Sequence, residues 1–152
     1  MEFVVFSKEN ETYATVYTSA QKIIVAFKGT TTMEKMKTDI NMKVVGISNA
    51  LPTKKQASHP ILSSLDWKNA KIHKGFGEAY SSVSDELIEK IGVLRTRKER
   101  PIYFTGHSLG ASLATIASID VVLSLEIEEV YAVTFGSPRC CLLYTSPSPR
   151  DA

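Results

Sequence analysis

Thr105-Gly106-His107-Ser108-Leu109-Gly110-Ala111 is the stretch on which the reading of this chain turns. Just before it, Ile102-Tyr103-Phe104-Thr105 follows Pro101 as a short apolar run, the pattern of a strand buried on both faces. Just after it, Ala111 to Leu125 is rich in alanine and leucine and helical in period. A Gly-x-Ser-x-Gly pentapeptide at a strand-to-helix junction makes a very tight turn. Glycines at its ends let neighbouring backbone pass close, and the serine takes a strained conformation that lifts its hydroxyl above the sheet. The helix that follows aims its amide dipoles at the same point, where they would stabilise an oxyanion. Ser108 is therefore the candidate nucleophile, framed by Gly106, His107 and Gly110, and the Leu109 N–H is a candidate oxyanion donor. The competing reading is a glycine-rich turn of a Rossmann-like domain in which Ser108 only caps the helix.

Working outward, Phe76, Ala79, Tyr80, Val83, Leu87, Ile91 and Leu94 recur at three and four residues from Gly75 onward, which predicts a helix with one apolar face. Val130-Tyr131-Ala132-Val133-Thr134-Phe135 reads as another buried strand, closed by Gly136 and Pro138. Upstream, Thr12 to Tyr17 alternates, Ser19-Ala20-Gln21 breaks the run, and Ile23 to Phe27 is continuously apolar: a hairpin feeding a buried strand. A short helix is expected between Thr30 and Asp39, with Met33 and Met36 one turn apart, then a short strand at Lys43 to Gly46. Ser48 to Lys71, with Pro52 and Pro60, reads as a long surface excursion. The order β-α-β-α-β predicts an α/β fold with a mostly parallel sheet and helices on both faces. In such a fold the second oxyanion donor comes from a loop after an earlier strand, and Phe27-Lys28-Gly29-Thr30 stands in that place. Thr30 could offer its N–H and its hydroxyl; the alternative is a glycine turn followed by a helix cap at Thr30, Thr31 or Thr32.

Composition narrows the class further. The chain has 152 residues, 43% hydrophobic and 22% charged, with a formal net charge of +2, so neither nucleic acid nor an anionic membrane is implied as a partner. Its basic residues are dispersed, and the densest run, Arg95 to Arg100, falls at an expected helix end, where a solvated position suits the dipole. No apolar stretch approaches the roughly 20 residues that span a bilayer, and Met1 to Phe6 has no basic leader, so neither a transmembrane segment nor a signal peptide is read and the compartment is left open. Cys140 and Cys141 are adjacent and match no common zinc spacing. No metal or organic cofactor is expected.

Four motifs in order then resemble the class 3, or fungal-type, triacylglycerol lipase family within the α/β-hydrolases. They are Ile24 to Thr30, Ile72 to Phe76, Thr105 to Ala111, and Thr134 to Arg139. The resemblance covers about residues 10 to 139, with Lys28 where the family more often has arginine and a Ser48 to Lys71 segment that has no clear counterpart. It implies Ser108 as nucleophile, Thr30 and Leu109 as the oxyanion hole, and Thr31 to Thr38 at the position of the family's lid. Met33 and Met36 would turn toward lipid in transient contact with an interface, or else pack in the core. His73 and His107 match motif positions other than the catalytic histidine, and together with His59 they are expected to be structural or solvent-facing. The implied activity is hydrolysis of lipid acyl esters through an acyl-enzyme, in lipid metabolism.

The acid and the base of a triad are expected after the serine in this fold, in the order Ser, Asp or Glu, His. No histidine follows Ser108; the later carboxylates are Asp120, Glu126, Glu128, Glu129 and Asp151, the first four in or just behind the following helix. Residues 1–139 are therefore read as a partial hydrolase domain, incomplete at its C-terminus. Residues 140–152 are read as a tail without core periodicity, either similar to translated adapter sequence or a disordered Ser/Pro tail. The chain as written is expected to be nearly inactive, and Val130 to Phe135 to be an unpaired edge. Two further readings stay open here: an acyltransferase using the same parts, and a non-catalytic lipid-binding or regulatory remnant of the scaffold. The substrate is open among triacylglycerol, phospholipid, galactolipid and aryl ester.

Overall fold

The computed structural model describes residues 2–8, 11–29, 44–46, 70–138 and 141–142. The main sheet contains β1 (Glu2–Ser7), β2 (Thr12–Thr18), β3 (Ile23–Phe27), β6 (Ile102–His107) and β7 (Val130–Phe135), in that spatial order. β1, β2 and β3 form an antiparallel meander, whereas β3, β6 and β7 run parallel. A second, three-stranded sheet pairs β4 (Val44–Gly46) and β8 (Cys141–Leu142) on either side of β5 (Lys71–His73). Helix α1 (Lys74–Arg97) follows β5 without a break, and α2 (Leu109–Leu125) joins β6 to β7.

The hairpin forms where the sequence breaks. Ser19 Oγ accepts from the Gln21 and Lys22 amides at 3.2 Å each, and the Ser19 amide donates to Lys22 O at 3.0 Å, so the turn satisfies its own polar groups. In the basic run at the end of α1, Arg97 and Lys98 are exposed as expected, but Arg100 departs from the solvated position. Arg100 is buried, and its guanidinium donates to Thr18 Oγ1, Ser19 O and Leu94 O at 2.6 to 2.8 Å. It ties the hairpin to the helix end, where its charge also suits the dipole.

One face of the main sheet carries the core. Ala14, Val16, Ile23, Val25, Phe27, Ile102 and Phe104 are buried, and the pairing register places them all on the same side. Both described helices cover that side. From α1 come Phe76, Tyr80, Val83, Leu87, Ile91 and Leu94, the face expected from the spacing. α2 is buried through Leu113, Ala114, Ile116, Ala117 and Val121, wedged between the sheet and α1, which is why it is apolar almost all round.

Within this apolar interface lies one polar clasp. The Tyr80 hydroxyl donates to Asp120 Oδ2 at 2.7 Å, and the Ser124 hydroxyl donates to Asp120 Oδ1 at 3.1 Å; Tyr80 and Asp120 are fully buried. A buried carboxylate is retained only when hydrogen-bonded, so the clasp fixes α2 against α1. Burial first, and then the Asp120 carboxylate, hold the Tyr80 phenol well above its ordinary 10.0. The folded phenol therefore keeps its proton at a pH where the unfolded one has lost it. Stability from this site is complete below about pH 10 and falls as pH rises further. Tyr80→Phe should cost about 1 to 3 kcal/mol at neutral pH by removing a donor from a buried acceptor, and should flatten the alkaline decline. Urea melts of both proteins between pH 7 and 11 check both effects.

Two boundaries differ from the sequence expectation. The excursion placed at Ser48 to Lys71 ends earlier, because Ala70 is buried and Lys71 already pairs with Gly46. Cys141 and Leu142, assigned to the tail, pair with Ile72 and Lys71. The expected helix around Met33 and Met36, together with Thr30, His59, Asp151 and the rest of the tail from residue 143, lies outside the described residues.

Candidate active site

The carboxyl ends of β3, β6 and β7 meet at the start of α2, and Ser108 stands at that junction. Its backbone is at φ 57 and ψ −122, a conformation that an L-residue reaches only under strain. Three contacts hold it there. The Ser108 amide donates to Phe135 O at 3.0 Å, which fixes the turn to the end of β7. Ser108 O accepts from the Ala111 and Ser112 amides at 3.0 and 3.4 Å, the first bonds of α2. Gly106 and Gly110 lie so close that a Cβ on Gly106 would collide with the Gly110 carbonyl, and one on Gly110 with Phe27 O. Only glycine allows the two strand ends and the helix start to converge, so the strain is carried by packing on every side.

This arrangement assigns the amides. The Ser108 N–H is committed to Phe135 and so is not an oxyanion donor. Leu109 opens the helix, where an N–H has no intrahelical acceptor, and the helix dipole is positive at that end. Lys28 and Gly29 lead away from β3 directly beside the elbow: a Cβ on Gly29 would lie 2.5 Å from His107 O. The loop expected to carry the second donor thus leaves β3 beside Ser108, with Thr30 the first residue beyond the described ones.

The remaining candidates separate. His107 is exposed, and its ring lies against Gly136, where φ is +56; a Cβ there would sit 3.2 Å from Nε2. His73 packs edge-on to Phe76, with ring centroids 5.8 Å apart. Asp120 lies 12 residues along α2, about 18 Å from Ser108 at 1.5 Å per residue, and both its oxygens are engaged. Glu126, Glu128 and Glu129 are exposed between the far end of α2 and the start of β7. None of these carboxylates can orient a base at Ser108. Among the described residues no group of three His, Cys, Asp or Glu side chains could hold a metal ion. Likewise, no described helix is long and apolar enough to cross a membrane.

Two features of the site escaped the sequence reading. Phe135 O anchors the elbow, and Gly136 makes room for the His107 ring. The run Thr134 to Arg139 signalled that the segment mattered, but a backbone carbonyl leaves no mark in side-chain identity.

Comparison with known proteins places this geometry. The family described as Lipase (class 3) matches residues 24–143. A secreted mono- and diacylglycerol lipase 2 of Gibberella zeae is 29% identical over 119 residues, which are 77% of this chain and 29% of that protein. In structure, the chain is similar to a lipase of Rhizomucor miehei, in a propeptide complex, with a TM-score of 0.71 at 22% identity over 92% of this chain and 42% of the other. It is equally similar to a lipase of Rhizopus microsporus var. chinensis, with a TM-score of 0.71 at 23% identity over 92% and 46% of the two chains. The chain therefore spans less than half the length of each of these proteins.

Proposed function

Because the chain belongs to the class 3 lipase family, with an α/β-hydrolase fold, we propose that it carries the nucleophile and oxyanion hole of a carboxylic ester hydrolase acting on lipid acyl esters. The observation that carries the proposal is Ser108, held at φ 57 and ψ −122 between β6 and α2. The packed glycines and Phe135 O sustain that strain, and a helix cap alone would not call for it.

The proposed chemistry uses these parts in sequence. Ser108 Oγ attacks the ester carbonyl, and its proton passes to a histidine base that a segment beyond these residues must supply. The Leu109 N–H, with Thr30 from the loop leaving β3, holds the oxyanion through donors that are in place before reaction. The alkoxide leaves with the proton from the base, and water then releases the acid from the acyl-serine. Met33 and Met36 lie on the segment that would serve as a lid toward a lipid interface. The secreted, acylglycerol-directed name of the Gibberella relative supports an acylglycerol as substrate.

The test uses a completed chain, in which these 152 residues are followed by the acid- and histidine-bearing segment of a matched lipase. Thr30→Ala should lower kcat on a short-chain ester about 10²- to 10³-fold with KM little changed, as the loss of one oxyanion donor does. A KM effect alone would assign Thr30 to ground-state binding and remove it from the oxyanion hole. Adding a competing alcohol separates hydrolysis from acyl transfer: a hydrolase keeps releasing free acid as its main product.

A further inference from the structure

Two consecutive residues of the elbow, His107 and Ser108, grip the two ends of one peptide unit, the one joining Phe135 to Gly136. At one end its carbonyl, Phe135 O, accepts from the Ser108 amide at 3.0 Å. At the other, the space that a side chain on Gly136 would fill is taken by His107: a Cβ there would lie 3.2 Å from Nε2, 3.6 Å from Cδ2 and 3.8 Å from Cε1. Nε2 is nearest, with a ring carbon on either side, so the tip of the ring meets the glycine. In the pairing register His107 stands opposite Phe135, and its ring therefore reaches one residue past its partner. Gly136 is at φ +56, so a missing Cβ serves the backbone and the ring together. His107 is exposed, so this contact adds little to the core; its effect lies at the turn.

The strain at Ser108 gives that contact a use. Backbone at φ 57 and ψ −122 persists only where its surroundings over-determine it. Toward the helix, the packed glycines supply the restraint. Toward β7 it is Phe135 O, and the aim of that carbonyl depends on how the peptide between Phe135 and Gly136 is turned. A ring lodged against Gly136 opposes rotation of that peptide. We infer that His107 is a positioning residue for Ser108: by propping Gly136 it keeps Phe135 O on the Ser108 amide, and so keeps the serine hydroxyl where it reacts. The inference deepens the proposed hydrolysis and rests on Ser108 as its nucleophile. In this role His107 acts through shape, touches no reacting atom and takes up no proton.

Hydrogen exchange and kinetics test this together. In 1–152, His107→Ala should speed exchange at the Ser108 amide by about tenfold or more. The Ile102 amide, held by Glu129 O at the other end of β6, should exchange as before. In the completed chain His107→Ala should lower kcat on a short-chain ester about tenfold with KM little changed, because a displaced nucleophile costs turnover. His107→Gln carries an uncharged nitrogen to about the place of Nε2, and should restore most of kcat with the pH profile of the unsubstituted chain. Gly136→Ala should lower kcat more beside His107 than in the His107→Ala background, where the added methyl no longer meets the ring. Unchanged exchange at Ser108 in His107→Ala would overturn the inference, as would additive losses in the double variant. A His107→Gln variant as slow as His107→Ala would also overturn it, since shape would then not be what the imidazole supplies. Full activity of the completed chain after Ser108→Ala would instead sink the proposed hydrolysis, while exchange at the Ser108 amide still decided whether His107 holds the turn.

Discussion

Purified 1–152 should hydrolyse a soluble aryl ester on the order of a million-fold more slowly than the same residues completed with the acid- and histidine-bearing segment of a matched lipase. Loss of the base from a serine hydrolase has an effect of this size, because an unassisted hydroxyl is a poor nucleophile at neutral pH. The described residues offer no substitute. His107 lies against Gly136, His73 against Phe76, and Asp120 is sequestered about 18 Å along α2. Ser108→Ala should accordingly change the small rate of 1–152 little, yet remove nearly all the activity of the completed chain. Ordinary enzymatic turnover by 1–152 alone, abolished by Ser108→Ala, would mean that these residues contain a base for Ser108.

Gly106→Ala should destabilise the fold by about 3 kcal/mol or more, because the added methyl meets the Gly110 carbonyl and, at 2.8 Å, the Ala111 nitrogen. Backbone at a helix start cannot give way as a side-chain tip can. Gly110→Ala, against Phe27 O, should cost a similar amount. Gly92→Ala supplies the contrast within α1: its nearest neighbour would be Leu125 Cδ2 at 3.8 Å, an ordinary contact. There the gain in helix propensity should stabilise by about 0.5 to 1 kcal/mol. Denaturant melts of the three variants check the signs. If all three proved equally mild, the close convergence at the elbow would be wrong.

Much of this was legible in the sequence where one physical requirement dominates. The apolar face of α1 follows from spacing, and the elbow from two glycines that no larger residue could replace. β1 was not foreseen, because Phe3 to Phe6 is apolar at every position and shows no alternation, although Val5 is buried while Val4 and Phe6 are exposed. Arg100 looked like part of a solvated basic run, since the carbonyls that bury it are set by the hairpin geometry. The pairing of Lys71 to His73 with β4 and β8 is a long-range event, and a three-residue strand leaves little local signal. At the site, the tight strand-to-helix turn at Ser108 could be read from motif and context, whereas the anchoring by Phe135 O depends on the register of β6 and β7.

If Ser108 is the nucleophile, a fluorophosphonate should react with its hydroxyl, and incubating the completed chain with one and mapping the adduct by mass spectrometry reads this out. One adduct is expected, on the peptide containing Ser108, absent from Ser108→Ala and formed far more slowly on 1–152 alone. An adduct on another serine, or none on a completed chain that folds and melts cooperatively, would contradict it and favour a non-catalytic role for the scaffold.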